Sequence, residues 1–261
     1  MKLALKITPQ RSTQYANMAE VLAIPELLAS PLGKAIASAE FAKLGGRGYI
    51  LVEIQGERDE TALLAELTTI LPRLGATSEG YEYFASVAGL AGPLLRPIEP
   101  HFTPFVPVEM AETRRYKGKT NELFTRVLLN VAIFAGAYRE QFTERLRVLD
   151  PLAGGGTTLF LALAAGYDVF GIEQSRQDVE TTEVFVRQYL HSEHIVYKEL
   201  DERGRRAGRR YQFMVGRKGE ETRHLVLVHG ETAQAAQHLQ EVPGGPHMHA
   251  IVGDLPYGIQ H

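Results

Sequence analysis

One short stretch, Asp150–Thr158, constrains the fold of this chain more than any other part of it. It follows the apolar, β-prone run 146–149 and leads into the helical pattern 159–165. A strand is therefore predicted to end on the carboxylate of Asp150, turn through Gly154-Gly155-Gly156 and start a helix. Open α/β sheets build ligand pockets in this way, at the carboxyl ends of their strands. Glycines let a ligand approach the backbone, and the start of a helix offers free N–H groups.

The composition is typical of a globular protein and excludes several classes. The chain has 261 residues, 44% of them hydrophobic and 23% charged, which is enough for two modest domains. It has no cysteine, which excludes disulfides and thiolate metal ligands. No apolar run is long enough to span a bilayer, and the N-terminus lacks a signal-peptide pattern, so we expect a cytoplasmic protein without a membrane partner. The net charge of −3 means that any nucleic-acid-binding surface has to be local.

Residues 1–90 are predicted to form a smaller N-terminal α+β domain with the element order βααβαβ. The predicted strands and helices are strand Leu3–Ile7, helices Asn17–Leu28 and Leu32–Leu44, strand Tyr49–Ile54, helix Asp59–Leu71 and strand Tyr81–Val87. Gly45-Gly46 is expected to end the second helix, and Asp59 to cap the third. This order is compatible with a ferredoxin-like RNA-binding unit.

Residues 91–113 are predicted to be a Pro-rich connector. Five prolines lie between Gly89 and Val108, and they exclude a long helix or a central strand. The apolar residues between the prolines favour a segment that packs along a surface.

Residues 114–261 are predicted to form an α/β domain with a doubly wound, Rossmann-like sheet. A strongly periodic helix at Asn121–Ala137 precedes strands that end near Asp150, Glu173, His229 and Val252, and helices alternate with these strands. Such alternation predicts a parallel sheet. An Arg-rich insert at about 197–223 interrupts the pattern and is expected to be a hairpin.

The chemistry of the glycine loop favours a cationic ligand. A dinucleotide motif requires a third glycine where this chain has Leu159, and a phosphate-binding P-loop requires a lysine that is absent. A carboxylate at position 150 suits an ammonium or sulfonium group. Glu173 ends the next strand, where a carboxylate can accept hydrogen bonds from a ribose diol, and Glu231 follows the third strand, where an adenine contact is expected. The alternatives are a glycine turn without a ligand, and acids that cap helices or face solvent.

A second motif, Asp254-Leu255-Pro256-Tyr257, resembles the Asp/Asn-Pro-Pro-Tyr signature of methyltransferases that act on exocyclic amines of nucleobases. The carboxylate of Asp254 and the carbonyl of Leu255 would each accept an N–H bond from the amine and so direct its lone pair. Pro256 stiffens the turn, and Tyr257 offers a face on which a flipped base can stack. The alternative is a turn that caps an edge strand.

Together the two motifs resemble S-adenosylmethionine-dependent methyltransferases of the seven-stranded class. The run 117–122 before a helix, the glycine loop and Asp-Leu-Pro-Tyr-Gly are most similar to the RNA-methylase group that includes the THUMP-associated tRNA guanine-N2 methyltransferases. The resemblance covers roughly residues 114–258. It implies cofactor contacts from Thr120, Asp150, Pro151, Gly154, Gly156, Thr157, Glu173 and Glu231, and catalysis by Asp254, Leu255, Pro256 and Tyr257.

The chain departs from this family in two respects. Residues 1–90 show no recognisable THUMP sequence. Four strands are predicted from Val148 onward, where the class has seven, so we expect the sheet to be incomplete at its C-terminal side. A longer chain, a second chain or the N-terminal part would then supply the missing strands.

Two basic clusters are candidates for phosphate contacts, which position a nucleic acid without reading its sequence. The candidate residues are Arg205, Arg206, Arg209 and Arg210 in the insert, and Lys117 and Lys119 before the helix. The alternative for the insert is a solvated loop that pairs with nearby acids. We expect no metal site, because the histidine pairs 191/194 and 247/249 lack cysteine or carboxylate partners.

The leading hypothesis is methyl transfer from S-adenosylmethionine to an exocyclic base nitrogen, with guanine N2 in tRNA or other structured RNA favoured over DNA. One alternative keeps the chemistry but takes adenine N6 or cytosine N4 in DNA. Another is a truncated or split-enzyme subunit that binds cofactor or RNA without turnover alone.

Overall fold

The computed structural model describes residues 1–9, 17–56, 59–200, 209–217, 219–240 and 242–255. These residues form a mixed α/β fold with seven helices and two sheets, of five and six strands. The chain divides into two compact units. The first contains residues 1–103 and 126–135, and the second contains residues 104–125 and 136–261. No helix in the described part of the chain is long and apolar enough to cross a membrane.

The first unit is built on an antiparallel sheet with the strand order β2-β3-β1-β4-β5. Its strands are β1 (Lys2–Ile7), β2 (Ile36–Leu44), β3 (Arg47–Ile54), β4 (Thr77–Val87) and β5 (Leu90–Pro97), and its helices are α1 (Met18–Ala29) and α2 (Glu60–Ile70). The predicted N-cap of α2 is confirmed, because an Asp59 carboxylate oxygen accepts the Thr61 N–H at 3.1 Å. Leu3, Leu5 and Ile50 are fully buried in the core of this unit.

The helix predicted at Leu32–Leu44 is wrong. Residues Pro31–Ala35 form a 3-10 turn, and Ile36–Leu44 is strand β2, which pairs antiparallel with β3. Gly45 and Gly46 have φ values of +56° and +77°, so they form a tight hairpin turn where a helix end was expected. The alanines and charged residues of this segment give it helical spacing. Long-range pairing with the apolar strand β3 overrides that local preference.

The segment predicted as a connector at 91–113 begins as a strand. Residues Leu90–Pro97 form β5 at the edge of the first sheet, paired antiparallel with β4. An edge position accommodates Pro93 and Pro97, since a proline cannot donate a hydrogen bond to a strand on its second side. Farther along, Glu109–Thr113 forms a short helix, α3, in the second unit.

The second unit is built on a six-stranded sheet with the order β11-β6-β7-β10-β9-β8. Its strands are β6 (Arg147–Asp150), β7 (Asp168–Glu173), β8 (Tyr197–Glu199), β9 (Arg210–Val215), β10 (Arg223–His229) and β11 (Ala250–Ile251). Its helices are α5 (Thr157–Ala164), α6 (Arg176–Ser192) and α7 (Ala235–His238). Helix α4 (Glu122–Phe134) begins in this unit, and its residues from Arg126 onward group with the first unit.

Four strands of this sheet are parallel neighbours: β11, β6, β7 and β10. Strands β9 and β8 fall in the region predicted as an insert and continue the sheet beyond β10 in antiparallel pairing. The three longer parallel strands, β6, β7 and β10, are largely buried, and Val148, Val169 and Leu225 have no exposed surface. The carboxyl ends of the four parallel strands therefore meet at one edge of the sheet, which bears the residues described next.

Candidate functional site

The glycine loop joins the end of β6 to helix α5. Gly154 and Gly156 have φ values of +48° and +89°, which other residues rarely adopt. The loop is held against the sheet, because the Ala153 N–H donates to the Ile172 carbonyl at 2.9 Å. A Cβ at Gly154 would meet no atom within 4 Å, so the backbone there is open to a ligand.

Asp150 lies at the tip of β6 and is 3% exposed. Its Oδ1 accepts the Leu152 N–H at 3.0 Å. Burial raises the pKa of this carboxyl to about 6, and the neighbouring carboxylates of Glu173 and Asp254 act in the same direction. A cation next to Asp150 would reverse this shift, because it would compensate the desolvation of the charged form.

Glu173 ends the neighbouring strand β7 and uses both carboxylate oxygens to hold the backbone. Its Oε2 accepts the Gly154 N–H at 2.9 Å, and its Oε1 accepts the Ser175 N–H at 2.7 Å. The carboxylate therefore ties the glycine loop to the start of helix α6. Glu173 therefore has the helix-capping role that the sequence analysis gave as an alternative, and it also lies beside the glycine loop. Its remaining lone pairs can still accept hydrogen bonds from a ligand.

Asp254 follows the short strand β11 and is linked to the segment before helix α4. The Thr120 hydroxyl donates to Asp254 Oδ2 at 2.6 Å. The next residue, Leu255, is 72% exposed. Pro256 and Tyr257, the other two residues of the predicted catalytic motif, lie outside the described residues. The structure thus fixes the carboxylate of the motif through a threonine that was predicted only as a cofactor contact.

These residues surround a cleft with a volume of about 590 Å³. We refer to it as the acidic cleft, because five carboxylate residues line it: Asp150, Glu173, Asp178, Glu231 and Asp254. Of the predicted cofactor contacts, Thr120, Pro151, Gly154 and Thr157 line it as well. The volume lies within the usual range for small-molecule sites, roughly 300–1,000 Å³. Apart from Asp178, which the sequence analysis did not identify, the sequence predicted these residues as one site, and the fold brings them together.

Gly156, in contrast, is not a cleft-lining residue among those the structure describes. A Cβ at this position would lie 2.9 Å from the Phe160 ring and 3.2 Å from the Thr182 side chain. Gly156 is the N-cap of helix α5 and is required there by its positive φ and by close packing. A valine at Gly156 would therefore disturb the start of helix α5, whether or not a ligand is bound.

Tyr116 is a cleft residue that the sequence analysis missed. Its hydroxyl lies 2.7 Å from the Thr157 hydroxyl, and its ring packs on Gly155, where any Cβ would overlap the ring. Burial raises the pKa of the Tyr116 phenol. The middle glycine of the loop thus makes room for a tyrosine from a distant segment, a contact that no local pattern reveals.

Of the four phosphate-contact candidates that the structure describes, three are engaged within the fold. Arg209 donates to Glu180 at 3.1 Å, and Arg210 donates to the His238 carbonyl at 2.9 Å. Lys119 pairs with Glu122 and donates to the Ala111 carbonyl at 2.7 Å. Lys117 lines the acidic cleft. Arg205 and Arg206 lie outside the described residues.

The histidine pairs do not form a cluster of metal ligands in the structure. His249 Nδ1 accepts the Arg147 N–H at 2.8 Å, and its ring packs edge-on against Tyr138. Burial and Arg147 lower the pKa of His249. Within the described ranges, no group of three or more histidine and carboxylate side chains is arranged to hold a metal ion.

No family model and no curated protein matches the sequence.

Proposed function

We propose that this protein is an S-adenosylmethionine-dependent methyltransferase that acts on an exocyclic amine of a nucleobase. The observation that carries the proposal is the acidic cleft, in which the buried Asp150 lies beside an open glycine loop and the carboxylate of Asp254 is held by Thr120. Among common nucleoside ligands, S-adenosylmethionine carries a sulfonium and an ammonium group, which suit such a cleft.

The strand order supports the finer fold assignment, a Rossmann-like sheet of the methyltransferase class. From β6 the chain proceeds to β7 and β10 on one side, and β11 lies on the other side of β6. This reversal between β6 and β11 is a topological switch point, and open α/β sheets bind ligands in the crevice there. Asp150 ends β6 and Asp254 follows β11, the two strands that flank it.

The residues present fit the cofactor. Asp150 would hold a positively charged group, and the loop at Gly154 leaves the backbone open to a ligand, since a side chain at that position would fill free space. Glu173 and Glu231 offer acceptors for the ribose and the adenine. When bound, S-adenosylmethionine supplies a methyl group activated by the positive sulfur.

The protein's own part in the reaction is to position the amine. The Asp254 carboxylate and the Leu255 carbonyl each accept one N–H bond, which withdraws the nitrogen lone pair from conjugation and directs it into the cleft. Thr120 fixes the carboxylate through its hydroxyl. In this account Thr120 is a positioning residue, and Asp254 is the catalytic acceptor.

We favour guanine N2 in tRNA or other structured RNA as the acceptor, and a cytoplasmic location. This preference rests on the motif resemblance. Adenine N6 or cytosine N4 in DNA is the alternative acceptor.

The test is incubation with S-adenosylmethionine and either total tRNA or genomic DNA, followed by mass spectrometry of the nucleosides. N2-methylguanosine in the tRNA sample alone is the expected result.

The Asp254→Ala variant tests the proposed role of the Asp254 carboxylate in the reaction. We expect it to retain S-adenosylmethionine but to lose at least 100-fold in turnover, the order found when a single transition-state hydrogen-bonding group is removed. A folded Asp254→Ala protein that methylates at the wild-type rate would show that the Asp-Leu-Pro-Tyr motif is a structural turn.

The edge of the sheet at β11 favours a second candidate, a subunit that needs additional strands for turnover. On its far side, β11 pairs with no strand in the described part of the chain, and Ile251 is 66% exposed there. A parallel edge strand with exposed apolar residues is a surface that pairs readily with another strand. Cofactor binding without methylation by the protein alone, with turnover restored by a partner chain, would favour this candidate.

A further inference from the structure

The charge of the acidic cleft sets a condition on its ligand. Five carboxylates line it, and Lys117 is the one basic side chain among the described lining residues. A ligand carboxylate that entered such a cleft would be repelled by these like charges at short distance. An α-amino-acid group carries both an ammonium and a carboxylate, so a cation as well as an anion in the cleft favours its binding.

Two basic residues near Lys117, Arg114 and Lys119, are already occupied, and a third, Arg115, is exposed and does not line the cleft. Arg114 donates to the Thr181 hydroxyl at 3.0 Å and stacks over the Phe185 ring at 5.3 Å. Lys119 pairs with Glu122 and donates to the Ala111 carbonyl. Lys117 makes no ion pair or hydrogen bond with any residue that the structure describes. Its ammonium is therefore available to a ligand in the cleft, in a way that the charged groups of Arg114 and Lys119 are not.

The segment that carries Lys117 is fixed on both sides. The Tyr116 hydroxyl bonds to Thr157 on helix α5, and the Thr120 hydroxyl bonds to Asp254. Gly118, with a φ of +77°, provides a turn between these two anchors. A basic side chain on an anchored segment loses less conformational freedom on binding than one on a free loop.

We propose that Lys117 binds the carboxylate of the ligand's α-amino-acid group, while Asp150 binds a positively charged group of the same ligand. This inference rests on the proposed function. It also reassigns Lys117, which the sequence placed among phosphate contacts, to ligand recognition. Lys117 then determines whether the cleft prefers an intact amino-acid end over one without a carboxylate.

The test compares S-adenosylmethionine with its decarboxylated analogue by calorimetry, using the full chain. We expect the wild type to prefer the intact cofactor by about 10-fold, which is the order of one charge-assisted hydrogen bond. The Lys117→Gln variant is expected to lose this preference: its affinity for S-adenosylmethionine falls about 10-fold, and its affinity for the decarboxylated analogue does not fall. Lys198→Gln, an exposed lysine on β8 outside the cleft, makes the same charge change and is expected to behave as the wild type.

Each possible negative result of this experiment contradicts a different part of the proposal. If the wild type binds S-adenosylmethionine and Lys117→Gln retains the full preference, the carboxylate binds elsewhere, for instance at the N–H groups of helix α5, and the assignment of Lys117 is wrong. Equal losses for both ligands in Lys117→Gln would also overturn it, because a general effect of charge does not depend on the carboxylate. If the wild type binds neither ligand, the proposed function itself fails, and the role of Lys117 with it.

Discussion

Glu26 in the first unit and Asp150 in the second are both buried carboxylates whose pKa is raised by burial, yet their surroundings differ. Glu26 accepts the Gly75 and Ala76 N–H groups at 2.8 and 2.9 Å and the Asn130 side-chain amide at 2.6 Å. Its neighbours are donors, and they tie helix α1 to the 75–76 loop and to helix α4. Asp150 also accepts hydrogen bonds, from the Leu152 N–H and the Thr158 side chain, but it has two carboxylates near it and borders an open cleft.

This difference separates a structural acid from a binding acid. A buried carboxylate surrounded by donors is already compensated and has nothing left to bind. A buried carboxylate grouped with other acids beside a cleft is compensated poorly, and a cationic ligand can supply what the fold does not. The comparison therefore predicts opposite responses to Glu26→Ala, which removes an acceptor from its donors, and to Asp150→Asn, which keeps an acceptor and removes the charge.

Glu26→Ala is expected to give the largest change. It leaves the buried Gly75 and Ala76 N–H groups without an acceptor and removes one of the two bonds of the Asn130 amide, so we expect the free energy of unfolding to fall by about 3–5 kcal/mol, at about 1–3 kcal/mol for each unsatisfied group. Urea denaturation measures this loss, and Glu40→Ala, at an exposed position on β2, is the control. A loss no greater than that of the control would mean that the Glu26 network contributes nothing to stability.

Asp150→Asn is expected to change stability in the opposite direction. The folded-state pKa of about 6 lies above the ordinary value of 3.8, so the folded protein binds this proton more tightly than the unfolded chain does. Ionisation of Asp150 therefore costs stability as the pH rises from about 4 to above 6, by about 3 kcal/mol at 1.36 kcal/mol per pKa unit. The ligand-free asparagine variant avoids this cost.

Thermal or urea unfolding at pH 4 and pH 8 checks this sign. We expect Asp150→Asn to match the wild type at the lower pH and to exceed its stability at the higher pH, while it loses affinity for S-adenosylmethionine. A variant that is less stable than the wild type at pH 8 would place Asp150 with Glu26, as a structural acid.

The sequence predicted the second unit better than the first for a physical reason. The strand-glycine-helix order around Asp150 is a local pattern, and the apolar strands β6, β7 and β10 are buried over most of their length, so the edge of the sheet that bears the cleft could be found without the structure. Strand β2 is half-exposed, and its conformation is set by pairing with β3, which local spacing does not reveal.

The parts of the site that the sequence missed depend on distant contacts. The packing of Tyr116 on Gly155, and the place of Lys117 and Asp178 in the cleft, arise because separate segments meet at one sheet edge. The bond between Thr120 and Asp254 spans most of the second unit's sequence. No spacing rule connects such positions in a single sequence.

Glu173 is intermediate between Glu26 and Asp150, because its carboxylate both accepts backbone hydrogen bonds and lines the cleft. Glu173→Gln tests this intermediate case. The amide can accept one of the two N–H bonds but not both, so the glycine loop loses an anchor. We expect affinity for S-adenosylmethionine to fall about 10-fold, the order of one charge-assisted hydrogen bond. Glu231→Gln, at an exposed position of the same cleft, is expected to change affinity by no more than about threefold. Equal effects of the two variants, measured by calorimetry, would remove the distinction between them.

The smallest expected effect concerns the contact between Gly155 and Tyr116. Gly155→Ala forces the tyrosine ring to move, and we expect a few-fold loss of cofactor affinity. A double-mutant cycle with Tyr116→Ala is expected to show coupling of about 0.5–1 kcal/mol, because the added methyl is harmless once the ring is gone. Additive effects of the two substitutions on affinity would show that the ring does not position the loop.

The central claim is that Asp150 holds a cation in the acidic cleft, and proton release on ligand binding tests it most directly. Calorimetric titration with S-adenosylmethionine at pH 6, in buffers of different ionisation enthalpy, counts the protons exchanged. Because the pKa of Asp150 is about 6 in the ligand-free protein, we expect binding to release roughly half a proton. Asp150→Asn is expected to bind at least 100-fold more weakly, as expected when a buried charge loses its partner, and to release none. Binding of equal strength by Asp150→Asn, or no binding of S-adenosylmethionine to the folded wild type, would contradict the account.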